Sequence, residues 1–263
     1  MNEILGYFSA IFIGITLGLI GGGGSILTVP VLVYILSIEP ILATAYSLFV
    51  VGFSALVGTF RNIKKGNIDV EIGVIFAVPS LLAVYFTRRF IVPAIPQEIL
   101  KIENFTLSKE IGIMLFFALI MFLAGISMIR GKKESPSEKN KKINYPIIIV
   151  EGMFVGIFTG LVGAGGGFLI IPALVLLASL PMKKAIATSL MIIAVKSLFG
   201  FTGDLSTTLN IDWTFLITFS GFSILGMGLG LYMSKFIEGE KLKKLFGYFI
   251  LFMAVFVFTK ELI

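Results

Sequence analysis

The 263-residue chain contains no cysteine and no histidine. Disulfides, thiolate or imidazole metal sites and every Cys–His or Ser–His pair are excluded with them. Charge is scarce as well. Asp, Glu, Lys and Arg make up 14% of the residues, where a soluble domain has about a quarter. A metal held by carboxylate and carbonyl oxygens stays possible, but acidic residues are few, so no metal or cofactor is expected, and an enzyme embedded in the membrane is disfavoured. What replaces charge is apolar: 57% of residues are hydrophobic and the mean hydropathy is +1.03. That composition defines an integral membrane protein. Nothing in it points to nucleic acid. The net charge of +6 matters less than its placement, because Lys and Arg report topology in such proteins. The N-terminus MNEILGYFSA lacks the basic start of a signal peptide and is expected to be retained.

Apolar segments run at 4–20, 25–37, 41–60, 70–91 and 108–130, then at 146–162, 167–179, 183–203, 212–235 and 244–260. Between the two sets lies the polar, basic, twice-proline RGKKESPSEKNKKINYP. The expected organisation is a first membrane repeat over 1–130, a linker over 131–145 and a second repeat over 146–263. The sets are copies. A shift of 142 brings Gly14 onto Gly156, Gly21 onto Gly163, Pro30 onto Pro172, Ser47 onto Ser189 and Gly58 onto Gly200, without a gap. One more residue of offset brings Asn67-Ile68-Asp69 onto Asn210-Ile211-Asp212. Repeated membrane halves are a transporter architecture.

Segments 25–37 and 167–179 are too short to cross. Thirteen helical residues reach about 20 Å, against a hydrocarbon core of about 30 Å. Each therefore pairs with the segment before it as a hairpin turning at depth. Loop charges give orientation. The linker carries Arg130, Lys132, Lys133, Lys139, Lys141 and Lys142 and reads as cytoplasmic. Matching loops carry opposite bias: Glu39 against Lys183 and Lys184, then Arg61, Lys64 and Lys65 against Asp204 and Asp212. The expectation is an all-α membrane protein of two inverted repeats. Each is a glycine-broken hairpin plus three transmembrane helices, and both termini are non-cytoplasmic. The 88–109 loop, with Arg88, Arg89, Lys101 and Lys109 on the outer side, fits this least well.

The hairpin turns read GLIGGGGSILTVP and GLVGAGGGFLIIP. Gly14, Gly18, Gly156 and Gly160 have the small-xxx-small spacing of close helix packing. Consecutive glycines do not, since they point all round a helix and each costs about 1 kcal/mol against alanine. A break at depth frees backbone groups, which the membrane tolerates only against protein or a watery cavity. New helices should start near Ser25 and near Phe168. Their bare N–H groups and positive dipole ends suit an anion. Gly22, Gly23, Gly24 and Ser25, with Gly165, Gly166 and Gly167, are the candidate anion-binding backbone. The alternative is a purely structural hairpin tip. The pattern fits neither GxxxxGK[ST] nor GxGxxG.

Polar residues inside apolar helices complete the candidates. Lys196 shares a helix face with Ser189 and Gly200; the matching face in the first repeat is Ser47, Ser54 and Gly58. A lysine at depth is a candidate counter-charge for an anion, or else it snorkels or pairs with Asp204. The paired stretches Ala43–Leu48 and Ala185–Leu190 offer Ser47, Thr188 and Ser189 to an oxyanion; the same hydroxyls can bond to the preceding turn. Arg61, Asn62 and Asp204 are candidates for gating or coupling, and Glu151 and Asp204 for carrying a proton. Trp213 suits an interfacial aromatic belt.

The doubled G-x-x-x-G-x-x-G-x-G-G-x-x-x-x-x-P, the paired A-x-A-x-S-L stretches, the N-I-D and the late GMGLGLYMSKFI resemble the sulfite exporter TauE/SafE family over nearly the whole chain. The resemblance implies an inner-membrane permease for sulfite, sulfonates or related organosulfur anions. Tyr46, where the second repeat has Thr188, and the 92–108 insertion depart from symmetry. The expected function is alternating-access transport of a small anion coupled to protons or sodium. An anion channel or a non-transporting membrane subunit is the alternative. The particular anion, the direction, the coupling ion and the oligomeric state are not legible in the sequence.

Overall fold

The structure, a computed structural model, describes residues 2–91, 94–96, 98–102, 105–130, 145–162, 167–204 and 211–262. The chain is helical almost throughout. Helix α1 spans Asn2–Ile20 and α2 spans Gly23–Pro30, followed directly by a π-helical turn at Val31–Ile35. Then come α3 (Pro40–Ile63), α4 (Val70–Phe86), α5 (Lys109–Arg130) and α6 (Tyr145–Val162). Helix α7 (Gly167–Pro172) also runs into a π turn, at Ala173–Leu177, before α8 (Met182–Asp204), α9 (Trp213–Met233) and α10 (Gly239–Leu262). The expected all-helical class holds, with one small local addition. The 92–108 insertion contains an antiparallel pair, β1 (Glu98–Ile102) and β2 (Phe105–Ser108), with Leu100 opposite Leu107 and Ile102 opposite Phe105. Short apolar–polar alternation favours strand where no run is long enough for a helix.

Local chemistry explains the element ends. Asp69 and Asp212, in matching N-I-D triplets, are the N-caps of α4 and α9. Their carboxylates accept from Ile72 N–H at 3.1 Å and Phe215 N–H at 3.0 Å. Pro40 opens α3, where its missing N–H costs nothing. Pro30 and Pro172 interrupt the α-helical ladder, and both short helices leave it in the same way. Leu36 N–H donates to Val31 O and Ala178 N–H to Ala173 O, five residues back. Ser37 and Ser179 then take φ of 55° and 54° and end the segment.

Packing runs through missing side chains. Helix α1 lies on α9, and α6 lies on α4. A Cβ on Gly18 would sit 2.5 Å from Met227 O, and one on Gly14 would strike the Ser223 carbonyl. A Cβ on Gly152 would lie 2.6 Å from Phe76 O, and one on Gly160 would lie 2.8 Å from Thr87 Cβ. The sequence reading of Gly14, Gly18, Gly156 and Gly160 as packing residues agrees with these contacts. Helix α3 packs on α8, and α5 on α10. The short segments α2 and α7 touch each other in the middle, with Leu32, Ile170, Ile171 and Leu174 fully buried.

Large apolar side chains cover the outside, among them Phe8, Leu82, Phe199 and Phe252, each about two-thirds exposed. In water this surface would aggregate; in lipid it is the solvated surface. Among the described residues, five helices are long and apolar enough to cross a membrane: Leu42–Ile63, Val70–Ile91, Met182–Thr202, Trp213–Met233 and Gly239–Lys260.

Candidate functional site

The first glycine break is narrower than expected. Only Gly21 and Gly22 separate α1 from α2, and Gly21 takes φ +70°, a conformation that L side chains resist. Helix α2 begins at Gly23, two residues before Ser25, so Gly23 and Gly24 lie in its first turn. The described part of helix α7 runs from Gly167 to Pro172. Gly165 and Gly166 lie outside the described residues.

The first break meets the first described residue of α7. A Cβ on Gly167 would lie 2.9 Å from the Gly22 Cα. A Cβ on Gly21 would lie 2.8 Å from Ser189 Oγ and 2.8 Å from Ile171 Cδ1. Backbone from the first half thus abuts backbone and a hydroxyl from the second. The structure thus brings Gly22 beside Gly167, and Gly21 beside Ser189. Gly24 is turned elsewhere: its missing Cβ faces α1, 2.7 Å from Ile13 O and against Leu17. Its lack of a side chain serves hairpin packing.

The hydroxyls are already engaged. Ser25 Oγ donates to Gly22 O at 2.7 Å and Ser189 Oγ to Ile186 O at 2.9 Å, both back into their own turns. Each oxygen keeps lone pairs but has used its proton. Ser47 is buried on α3. Thr188 Oγ1 accepts from Asp69 N–H at 3.0 Å, across the two halves. Tyr46 Oη accepts from Asp212 N–H at 2.7 Å, the matching contact at the matching place. The departure of Tyr46 from its Thr188 counterpart therefore keeps the function of the position. The phenol reaches the same kind of backbone donor, with its ring tilted on Phe215 at 5.7 Å. The repeat already showed these residues twice. That they hold the N-caps of the opposite half could not be read from one strand of sequence.

Lys196 is 6% exposed, and its Nζ donates to Thr159 Oγ1 at 3.2 Å. Its position on α8 is one turn beyond Ile193, whose side chain meets the Gly167 position at 2.7 Å. The matching residue, Ser54, instead pairs with Ser223 Oγ at 3.0 Å. Asn62 is buried and spends its side chain on Gly58 O at 2.9 Å, closing α3. Arg61 is exposed at the same end. Lys65, in the loop after α3, has its pKa lowered by partial burial and by the neighbouring Lys235 and Arg61 charges. That places basic residues from the α3–α4 and α9–α10 loops at one end of the molecule. The side chain of Asp204, at the end of α8, lies outside the described residues. Among the described residues no group of acidic side chains could hold a metal.

Several helices able to cross a membrane, buried short helices broken at glycines and a lysine held at depth are the features of a polytopic transport protein. The family model described as "Sulfite exporter TauE/SafE" matches residues 7–257. The chain belongs to that family and is a multi-pass membrane transporter. Relatives agree. A "Probable membrane transporter protein" of Xylella fastidiosa (strain 9a5c) is 30% identical over 261 residues, covering 95% of this chain and 92% of its own. "Probable membrane transporter protein MJ0441" of Methanocaldococcus jannaschii is 32% identical over 199 residues, 74% of this chain and 69% of its own. "Probable membrane transporter protein YunE" of Bacillus subtilis is 26% identical over 227 residues, 76% of each. No solved structure matches the chain.

Proposed function

We propose that the protein is a secondary transporter of a small sulfur-bearing oxyanion, sulfite or a sulfonate, in the inner membrane. The observation that carries this reading is the contact of the first glycine break, Gly21–Gly22, with Gly167 and Ser189 of the second half, near a buried lysine. Free N–H groups of half-helices, a glycine surface without Cβ atoms and one fixed charge form an oxyanion site. Gly22, Gly23, Gly165, Gly166, Gly167, Ser47, Thr188 and Lys196 would line it, and Ser25 and Ser189 would join them by turning their hydroxyl protons from Gly22 O and Ile186 O to the anion. Transport would proceed by alternating access of two inverted halves, 1–130 and 146–263, joined by a cytoplasmic linker. Reciprocal packing supports that organisation: α1 pairs with α9 as α6 pairs with α4, while α3 with α8 and α5 with α10 pair across the axis. The cluster of Arg61, Lys65 and Lys235 supports a cytoplasmic location for that end and non-cytoplasmic termini.

The test is binding and flux together. Sulfite and methanesulfonate should stabilise the purified protein against heat and should accumulate in proteoliposomes. A charge about 5 Å from the anion, at an effective dielectric of about 20, is worth about 3 kcal/mol. Lys196→Met should therefore weaken binding about a hundredfold while the protein still folds, and Lys196→Arg should keep part of it. Flux indifferent to ion gradients would identify a channel. Binding without flux would identify a non-transporting subunit. Undiminished anion-dependent stabilisation in Lys196→Met would remove the lysine from the site.

A further inference from the structure

Among the described residues the buried charged side chains are Glu151 on α6, Lys196 on α8 and Lys243 near the start of α10. Glu151 is 6% exposed, and neither carboxyl oxygen has a hydrogen-bond partner. It borders an open cavity of about 460 Å³ lined by Pro146, Val155, Ala173 and the outward-facing Ile147, Val150 and Phe154, all apolar. No described charged or titratable group on the elements packed against α6 hydrogen-bonds to Glu151. Glu71 and Tyr85 belong to α4, and Glu71 accepts from the Tyr145 hydroxyl at the start of α6. Arg88 and Arg89 lie beyond α4, and Lys109, Glu110 and Arg130 at the ends of α5; α7 and its π turn carry none.

An isolated carboxylate in such surroundings costs several kcal/mol, and the neutral acid far less. This packing accommodates the acid. The carboxylate needs a second arrangement in which water reaches the side chain. Position then links the residue to the candidate anion site. Glu151, Val155 and Thr159 follow each other at i, i+4 and i+8 on one stripe of α6. Thr159 accepts from Lys196. Ala173, across the cavity, is the first residue of the π turn that continues the short helix containing Gly167. In the first repeat the positions matching Glu151 and Lys196 are Ser9 and Ser54, so both charges belong to one half.

We propose that Glu151 is a reversible proton-binding site and that its proton is the ion coupled to movement of the anion, in the same direction. The proposal rests on reading the protein as a secondary anion transporter. The chemistry is a proton exchange between a carboxyl oxygen and water. Two turns of α6, about 12 Å, separate Glu151 from Thr159. For an anion at a comparable distance, about 12 Å, and an effective dielectric of about 20, a Glu151 carboxylate would oppose the Lys196 field by about a factor of ten in anion affinity. Protonation removes the opposition, so proton and anion bind together and leave together.

Two measurements on the full chain test this. The first needs no substrate. Infrared titration in lipid nanodiscs, from about pH 5 to about pH 9, should show a carboxylic-acid carbonyl band that comes and goes reversibly. The band should be missing in Glu151→Gln and shifted in Glu151→Asp. No such band in the wild type, or the same band in Glu151→Gln, overturns the proton site. The second uses methanesulfonate, whose charge does not vary over this range. A pH gradient, acid outside, should drive its uptake into wild-type proteoliposomes. Glu151→Gln should keep exchange between equal pools and lose the response to the gradient. A gradient response that survives in Glu151→Gln, or is absent in a wild type that does exchange methanesulfonate, overturns the coupling. If the wild type moves neither methanesulfonate nor sulfite, it is the transport reading that fails, and the infrared titration still decides the proton site.

Discussion

Gly14 and Gly221 are both glycines on the α1–α9 helix pair, and alanine at each should act with opposite sign. At Gly14 the new Cβ would strike the Ser223 carbonyl and lie 2.7 Å from the Met227 amide nitrogen. Both are backbone atoms fixed in the hydrogen-bond ladder of α9, so neither can rotate aside. The helices must separate, and the separation runs along a seam that also depends on Gly18, Gly226 and Gly230. Overpacking of this kind costs about 1–3 kcal/mol, and the weaker dispersion attraction across a widened seam adds to it. The better helix propensity of alanine returns about 1 kcal/mol. The net expectation is a loss of about 2 kcal/mol. At Gly221, which is exposed and has nothing within 4 Å of its Cβ position, only the propensity term remains, a gain of up to about 1 kcal/mol. Unfolding of the purified protein by increasing SDS fraction in mixed micelles measures both. Gly14→Ala should keep anion-dependent stabilisation nearly intact, because the seam is away from the glycine junction. Equal effects of the two substitutions, or a neutral Gly14→Ala, would refute the packing argument.

Gly21→Ala forces an L residue into φ +70° at a backbone cost of about 1–2 kcal/mol and crowds Ser189, so it should lower thermal stability and anion-dependent stabilisation together. Gly24→Ala, which meets α1 instead, should lower stability while anion binding survives. Tyr46→Phe and Thr188→Val each leave an N-cap amide without its cross-half acceptor and should each cost about 1 kcal/mol in the same SDS titration; additive losses in the double variant would show two independent contacts. Ser137→Cys introduces one thiol into a chain that has none, and an impermeant maleimide should label it only from the cytoplasmic side; labelling from outside would sink the inverted-repeat topology.

The sequence by itself determined the class of protein and the identity of its working segments. Hydropathy is a sum over residues, and a repeat is a comparison along one chain, so neither needs a fold. For this reason the ten apolar segments, the doubled Gly-Pro motif and the depth of Lys196 were legible. So was the packing role of Gly14 and Gly156, because GxxxG spacing makes one face of one helix. Tertiary structure decided everything that depends on which face meets which neighbour. Gly24 and Gly22 are two residues apart in one glycine run, yet one faces α1 and the other meets Gly167. The N-I-D triplets were visible as repeats, but their reception by Thr188 and Tyr46 is a contact between halves more than a hundred residues apart. Thr159 carried no signal as the partner of Lys196, since a threonine in an apolar helix usually bonds to its own turn, as this one also does with Val155 O. Local chemistry fixes where a helix begins and ends; only the packed bundle fixes what a side chain, or its absence, is turned towards.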